Sequence, residues 1–172
     1  MTAELDWFHN ISDIPEAGVK TARHASPAAL AELGKTLGLV SCDRLDARYE
    51  LRRLSHGRYL LEGTIDADVT QTCVVSLEPV EAHVVEPFEV EFRPGPATAG
   101  VAEFDALETR DIEPLEGGTI PVGRIVYELL ASAINPYPRK EGIEFEQTSP
   151  QDKDSSADAS PFAVLRQLKP EK

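Results

Sequence analysis

Hydrophobic positions along this chain change period several times, and each change marks an element. Leu30, Leu33 and Leu37 recur at helical spacing. Ser26 stands before them as a cap, Pro27 suits the first helical position and Gly38 suits the stop. A helix is therefore predicted over 27–37. From Leu45 the period drops to two. Leu45, Ala47, Tyr49 and Leu51 alternate with Asp46, Arg48, Glu50 and Arg52, the pattern of a half-buried strand. Ser55-His56-Gly57 makes a turn. Tyr59, Leu61, Gly63, Ile65, Ala67 and Val69 then alternate with mostly polar residues, which predicts a long strand antiparallel to the one before. Residues 80–92 read as a strand pair or one bent strand. Pro87 is expected to break it, because proline cannot donate to a ladder.

The strongest helical stripe is Val122, Ile125, Val126, Leu129, Leu130, Ala133 and Ile134, which predicts a long helix near 120–134. Thr119 is its expected cap, Pro121 is tolerated in the first turn, and Asn135-Pro136 ends it. Burial of a large aliphatic stabilises a fold by about 1.5–3 kcal/mol, so this helix should be central. Leu5, Trp7, Phe8, Ile11 and Ile14 suggest a first strand within 1–20, turning at 15–18. Arg93-Pro94-Gly95-Pro96 opens a long acidic loop, where Phe104 and Leu107 dock or a short edge strand forms near Ile112. The expected class is α+β: an antiparallel sheet, partial closure into a barrel being one arrangement, packed by the two helices. One globular domain is expected over 1–140 and a polar linker over 141–160. A short capped docking helix is expected over 161–172, with Phe162, Leu165 and Leu168 on one side. That last cassette packs back on the domain or on a partner.

Charge narrows the function. The chain has 172 residues and a net charge of -13. Neutralising phosphates needs Lys and Arg, so the charge argues strongly against a large nucleic-acid footprint and is compatible with a basic partner. Between Glu78 and Glu116 eleven acids face only Arg93 and Arg110. Glu78, Glu81, Glu89 and Glu91 are therefore candidates for partner contact.

Catalytic patterns do not emerge. His9, His24, His56 and His83 have no ligand spacing, Gly117-Gly118 is a turn and not a phosphate cradle, and no Ser sits in a Gly-x-Ser-x-Gly elbow. Cys42 and Cys73 leave a zinc set incomplete, and Cys73 reads as a small buried hydrophobe. No enzyme activity, metal, cofactor or small-molecule substrate is expected. Two cysteines, no secretion signal and no apolar run near ~20 residues predict a reduced, cytoplasmic protein without a membrane partner.

Two segments place the chain further. Thr72-Cys73-Val74-Val75-Ser76-Leu77-Glu78-Pro79 ends a run that starts at Gly63, and Asn135-Pro136-Tyr137-Pro138-Arg139-Lys140 follows later. With 88–92, Ile112-Glu113-Pro114-Leu115 and Pro161-Phe162-Ala163-Val164-Leu165, they resemble the YceD family, the large ribosomal RNA subunit accumulation proteins. The form resembles the alphaproteobacterial branch. Many members carry a second Cys where this chain has Ser76, and some carry later Cys pairs that it lacks. The resemblance implies a cytoplasmic factor in large-subunit biogenesis that supports 23S ribosomal RNA accumulation. Joined to the charge, it implies contact with a basic ribosomal protein or an assembly factor, RNA contact being indirect. Tyr137, Arg139, Phe162 and Leu165 would be its anchors. The alternative is a direct rRNA-binding module, which requires Arg48, Arg52, Arg53 and Arg58 to cluster on one face of the first hairpin. A thiol- or metal-dependent enzyme is the remaining option.

Overall fold

A computed structural model of the chain describes residues 5–95 and 111–142. Its centre is a five-stranded sheet. β2 (Val19–His24), β3 (Ser41–Arg53), β4 (Tyr59–Thr72) and β5 (Pro79–Pro94) run antiparallel in that order, and β6 (Asp111–Leu115) joins β5 in parallel. The sheet is open, with β2 and β6 at its edges, so it does not close into a barrel. A separate two-stranded ladder pairs β1 (His9–Asn10) with β7 (Thr119–Ile120). The two helices are α1 (Pro27–Leu37) and α2 (Val122–Ala133).

Alternation along β4 builds the core. Leu61, Ile65, Ala67 and Val69 are buried, while Glu62, Thr64, Asp66 and Asp68 turn to the other face. Paired residues share a face, so Leu51, Leu61 and Val90 form one buried row, and Leu45 and Ala67 begin another. α2 lays Val122, Ile125, Val126 and Leu130 on β4 and β5, and α1 adds Leu33 beside β3. Ser26 caps α1 as expected, accepting the Ala29 N–H at 3.2 Å, and Gly38 ends it in the left-handed region.

Several expectations are corrected. Thr119 does not cap α2, because it pairs with Asn10 in β7. The residue before the helix is Pro121, with no side-chain cap. The Trp7 carbonyl instead accepts the Gly123 N–H at 2.8 Å, so the N-terminal segment satisfies a donor that a helix start leaves open. The helix has 12 residues, shorter than the stripe suggests. Pro87 does not break β5. It pairs with Thr64 on one side, and β6 meets β5 only from Val90 to Pro94. Among the described residues the outer edge of β5 is free at Pro87, so its missing N–H costs no ladder bond. The edge strand near Ile112 is present as β6. Phe104, Leu107, the linker beyond Gly142 and the cassette 161–172 lie outside the described residues.

The first strand predicted within 1–20 is only β1, followed by a 3-10 turn over Ile11–Asp13. β3 begins four residues before Leu45. A bulge between Cys42 and Arg44 breaks the alternation, letting both Cys42 and Leu45 turn inward. It also carries Arg44 to the opposite face, where one guanidinium meets Asp68 at 2.7 Å, Asp46 at 3.0 Å and Asp66 at 2.5 Å.

Gly123 is needed where the chain start meets α2. A Cβ there would run into the Leu5 carbonyl oxygen and come within 2.8 Å of its carbon. Gly123→Ala should push Leu5 off the helix and lower the unfolding free energy by about 1–3 kcal/mol. Urea denaturation checks the loss, and faster amide exchange over 5–10 checks its location.

Candidate functional site

β4 ends at Thr72 and the chain folds into a tight turn. The Cys73 N–H donates to the Glu78 carbonyl at 2.8 Å and the Leu77 N–H to the Cys73 carbonyl at 3.0 Å. Leu77 sits in the left-handed region at φ 61, uncommon for a residue with a side chain and held here by the bonds around it. α2 ends at Ala133 because Asn135-Pro136 takes the chain extended, and the Asn135 side chain accepts the Tyr137 N–H at 2.9 Å.

These two ends meet. Gln71 donates to the Asn135 carbonyl at 2.7 Å, and the Val74 N–H donates to the Pro138 carbonyl at 2.9 Å. Lys140 donates its backbone N–H to Cys73 Sγ at 3.4 Å, and its ammonium pairs with Glu78 at 3.0 Å. Pro138 is buried, whereas Arg139 is exposed. Val74, Leu77 and Tyr137 stand out of this joint at 46%, 76% and 71% exposure, large apolar side chains on two segments bonded to each other. Exposed apolar groups gathered in one place mark contact surfaces more than scattered ones do.

Cys73 is not simply a packed hydrophobe at a strand end. It lies past the strand and is fully buried, and its sulfur accepts N–H bonds from Ser76 and Lys140. Hydrogen bonding by Ser76, through side chain and backbone, and by the Lys140 N–H pulls its pKa down to about 6, outweighing the burial that opposes this. A thiol whose folded value lies below its ordinary 9.0 stabilises the fold fully above pH 9, and that contribution is lost as pH falls through 6. The gap in unfolding free energy between the native chain and Cys73→Ser should therefore widen from pH 6 to pH 9. Ser76→Ala should narrow it. With Cys42 replaced by Ser, the thiolate absorbance should titrate near 6; a midpoint near 9 would contradict the assignment. The sulfur is closed to solvent and ties the two segments of the joint together.

The predicted site residues separate. Glu78, Tyr137 and Arg139 come together at the joint. Glu81 is exposed on the free edge of β5. Glu89 is half-buried opposite Glu62. Glu91 is only 3% exposed, with one oxygen held by Arg58 at 3.0 Å and Arg93 at 2.8 Å. Burial alone would raise its pKa, but the Arg93 and Arg58 guanidiniums hold the carboxyl below its ordinary value. Phe162 and Leu165 lie outside the described residues. Sequence reasoning missed Gln71 and Lys140 as parts of the joint. Gln71 left a readable sign, a polar side chain at an inward position of the β4 alternation.

Both segments of the joint fall inside one recognised region. The family model for the large ribosomal RNA subunit accumulation protein YceD matches residues 61–169, more than half of the chain. The chain belongs to the YceD family. Family membership carries a role in the accumulation of large-subunit ribosomal RNA. The YceD match begins inside β4, takes in β5, β6 and α2, and continues past Gly142 over the cassette near Phe162. No curated protein and no solved structure matches the chain. Among the described residues no helix is long and apolar enough to cross a membrane, and no three His, Cys, Asp or Glu residues converge as a metal site.

Proposed function

We propose that this protein is a non-enzymatic, cytoplasmic factor in large ribosomal subunit biogenesis. It supports 23S ribosomal RNA accumulation by holding a basic ribosomal protein or assembly factor, and it meets RNA only indirectly. The observation that carries this reading is how the charges are disposed. Three of the four arginines that an RNA-binding face of the hairpin would need are occupied within the molecule, and Arg48 is exposed without an ion-pair partner among the described residues. Arg52 pairs with Glu62 at 2.7 Å, Arg58 with Glu91, and Arg53 donates to the Tyr59 hydroxyl and lies over its ring. Arg44 is enclosed by three aspartates. Glu81 and Glu86, by contrast, are exposed on the two faces of the free β5 edge and have no ion-pair partner among the described residues. A direct grip on RNA would need the opposite arrangement.

Crosslinking followed by mass spectrometry on protein from growing cells tests the reading. A basic large-subunit protein or assembly factor should be recovered, crosslinked near β5. The pair Glu81→Lys and Glu86→Lys should weaken that contact about tenfold, ~1.4 kcal/mol, without unfolding the chain. A recovered set with no ribosomal or assembly protein would sink the proposal. Binding of 23S fragments that falls steeply with salt would favour direct RNA contact instead.

A further inference from the structure

Among the described residues the joint between β4 and the segment after α2 leaves Val74, Leu77 and Tyr137 exposed, and the chain continues from the same place. Lys140 is bonded to Cys73 Sγ, and the description ends two residues later at Gly142. Thirty residues follow, 143–172. Among them Phe162, Leu165 and Leu168 recur at a spacing that would put them on one side of a helix.

We propose that residues 161–168 of the same chain dock on the patch formed by Val74, Leu77 and Tyr137, with Phe162 and Leu165 as the inserted side chains. Three observations converge on this occupant. The first is reach. Eighteen residues, 143–160, separate Gly142 from the cassette, and a polar chain of that length spans roughly 20–25 Å between its ends. Tyr137 is five residues before Gly142, at most about 18 Å away even if fully extended. The tether is thus long enough to fold back and short enough to hold the cassette at an effective concentration on the order of millimolar. The second is charge. Residues 160–172 carry Arg166, Lys169 and Lys172 against Glu171, a basic piece on a chain of net charge -13. Glu78 is already paired with Lys140, so exposed Glu81, three residues further along the chain and without an ion-pair partner among the described residues, is the acid left to receive it. The third is extent. The family match runs from β4 to residue 169, so the patch and the cassette belong to one recognised unit.

This docking does not depend on the partner reading above, and its test contains no partner. A benzophenone amino acid placed at Leu77 in the full chain, irradiated at low protein concentration, should crosslink within one molecule to the peptide containing 161–168. Crosslinks only between two chains would overturn the proposal in favour of a second copy. Crosslinks to other peptides, or none, would overturn it outright. Hydrogen exchange gives a second reading on the same chain. Leu165→Asp should make amides 74–78 and 136–140 exchange roughly tenfold faster and leave β3 unchanged, while Phe162→Leu should keep the native rates. Unchanged exchange in Leu165→Asp would count against docking, and unchanged β3 rates keep loss of fold from imitating the effect.

Discussion

Phe92→Ala should lower the unfolding free energy by about 3–5 kcal/mol. Phe92 has no exposed surface and is the largest of the fully buried side chains among the described residues. It stands opposite Tyr59 on β4 and beside Glu113 on β6, so it fills the sheet where three strands adjoin. The packing around it comes from strands fixed by their ladders, which leaves little freedom to close the cavity. A domain of this kind is stable by about 5–15 kcal/mol in all, so one truncation removes a large share. Equilibrium urea unfolding measures it. Phe92→Leu keeps most of the volume and should lose less than about 1.5 kcal/mol. Equal losses for the two variants would mean that volume is not what Phe92 supplies.

Gly63 carries the second large effect, through crowding instead of a cavity. It sits in the middle of β4, opposite Tyr49 on one side and Phe88 on the other. A Cβ at Gly63 would strike the Arg48 carbonyl and lie 2.7 Å from Tyr49 Cβ and 2.9 Å from Tyr49 Cα. These atoms belong to a strand and cannot rotate aside. Tyr49 is held in turn, its hydroxyl 2.9 Å from His9 Nε2. Gly63→Ala should therefore lower stability by about 3 kcal/mol, and Gly63→Val by little more, because the first added carbon makes the clash. The midpoint of urea unfolding reads both. A harmless Gly63→Ala would show that β3 and β4 can part there.

What the sequence makes legible depends on how local the cause is. α1 could be placed to the residue because its cap, its first proline and its terminal glycine are all local signals. β4 was plain because both its neighbours bury the same alternating set. β2 was not, because its inward positions are Val19, Thr21 and Arg23, and an edge strand can stay half-covered without an apolar pattern. The bulge at Cys42 hid the start of β3 by moving the alternation by one. Pro87 was misjudged because a free edge forgives what a central strand does not. The joint was half legible. Both of its segments stand out in the sequence, but their meeting is made by contacts between residues more than 60 apart. Glu91 counted as a partner-contact candidate from the acidic run alone, and only the fold brings Arg58 and Arg93 over it.

Among the described residues the edge of β5 before Val90 is free, and this has one more consequence. A run of unpaired backbone donors and acceptors is a template for a strand from another molecule, and such edges cause aggregation. Here the run opens with Pro79 and is interrupted at Pro87, each without an N–H to offer. Glu81 and Glu86 lie between them, so a second copy approaching edge to edge would bring like charges together. The residues proposed to attract a basic partner would also keep the protein from adding to itself. Reversing their charge keeps that protection, whereas replacing them by valine would remove it and leave a strand prone to stacking.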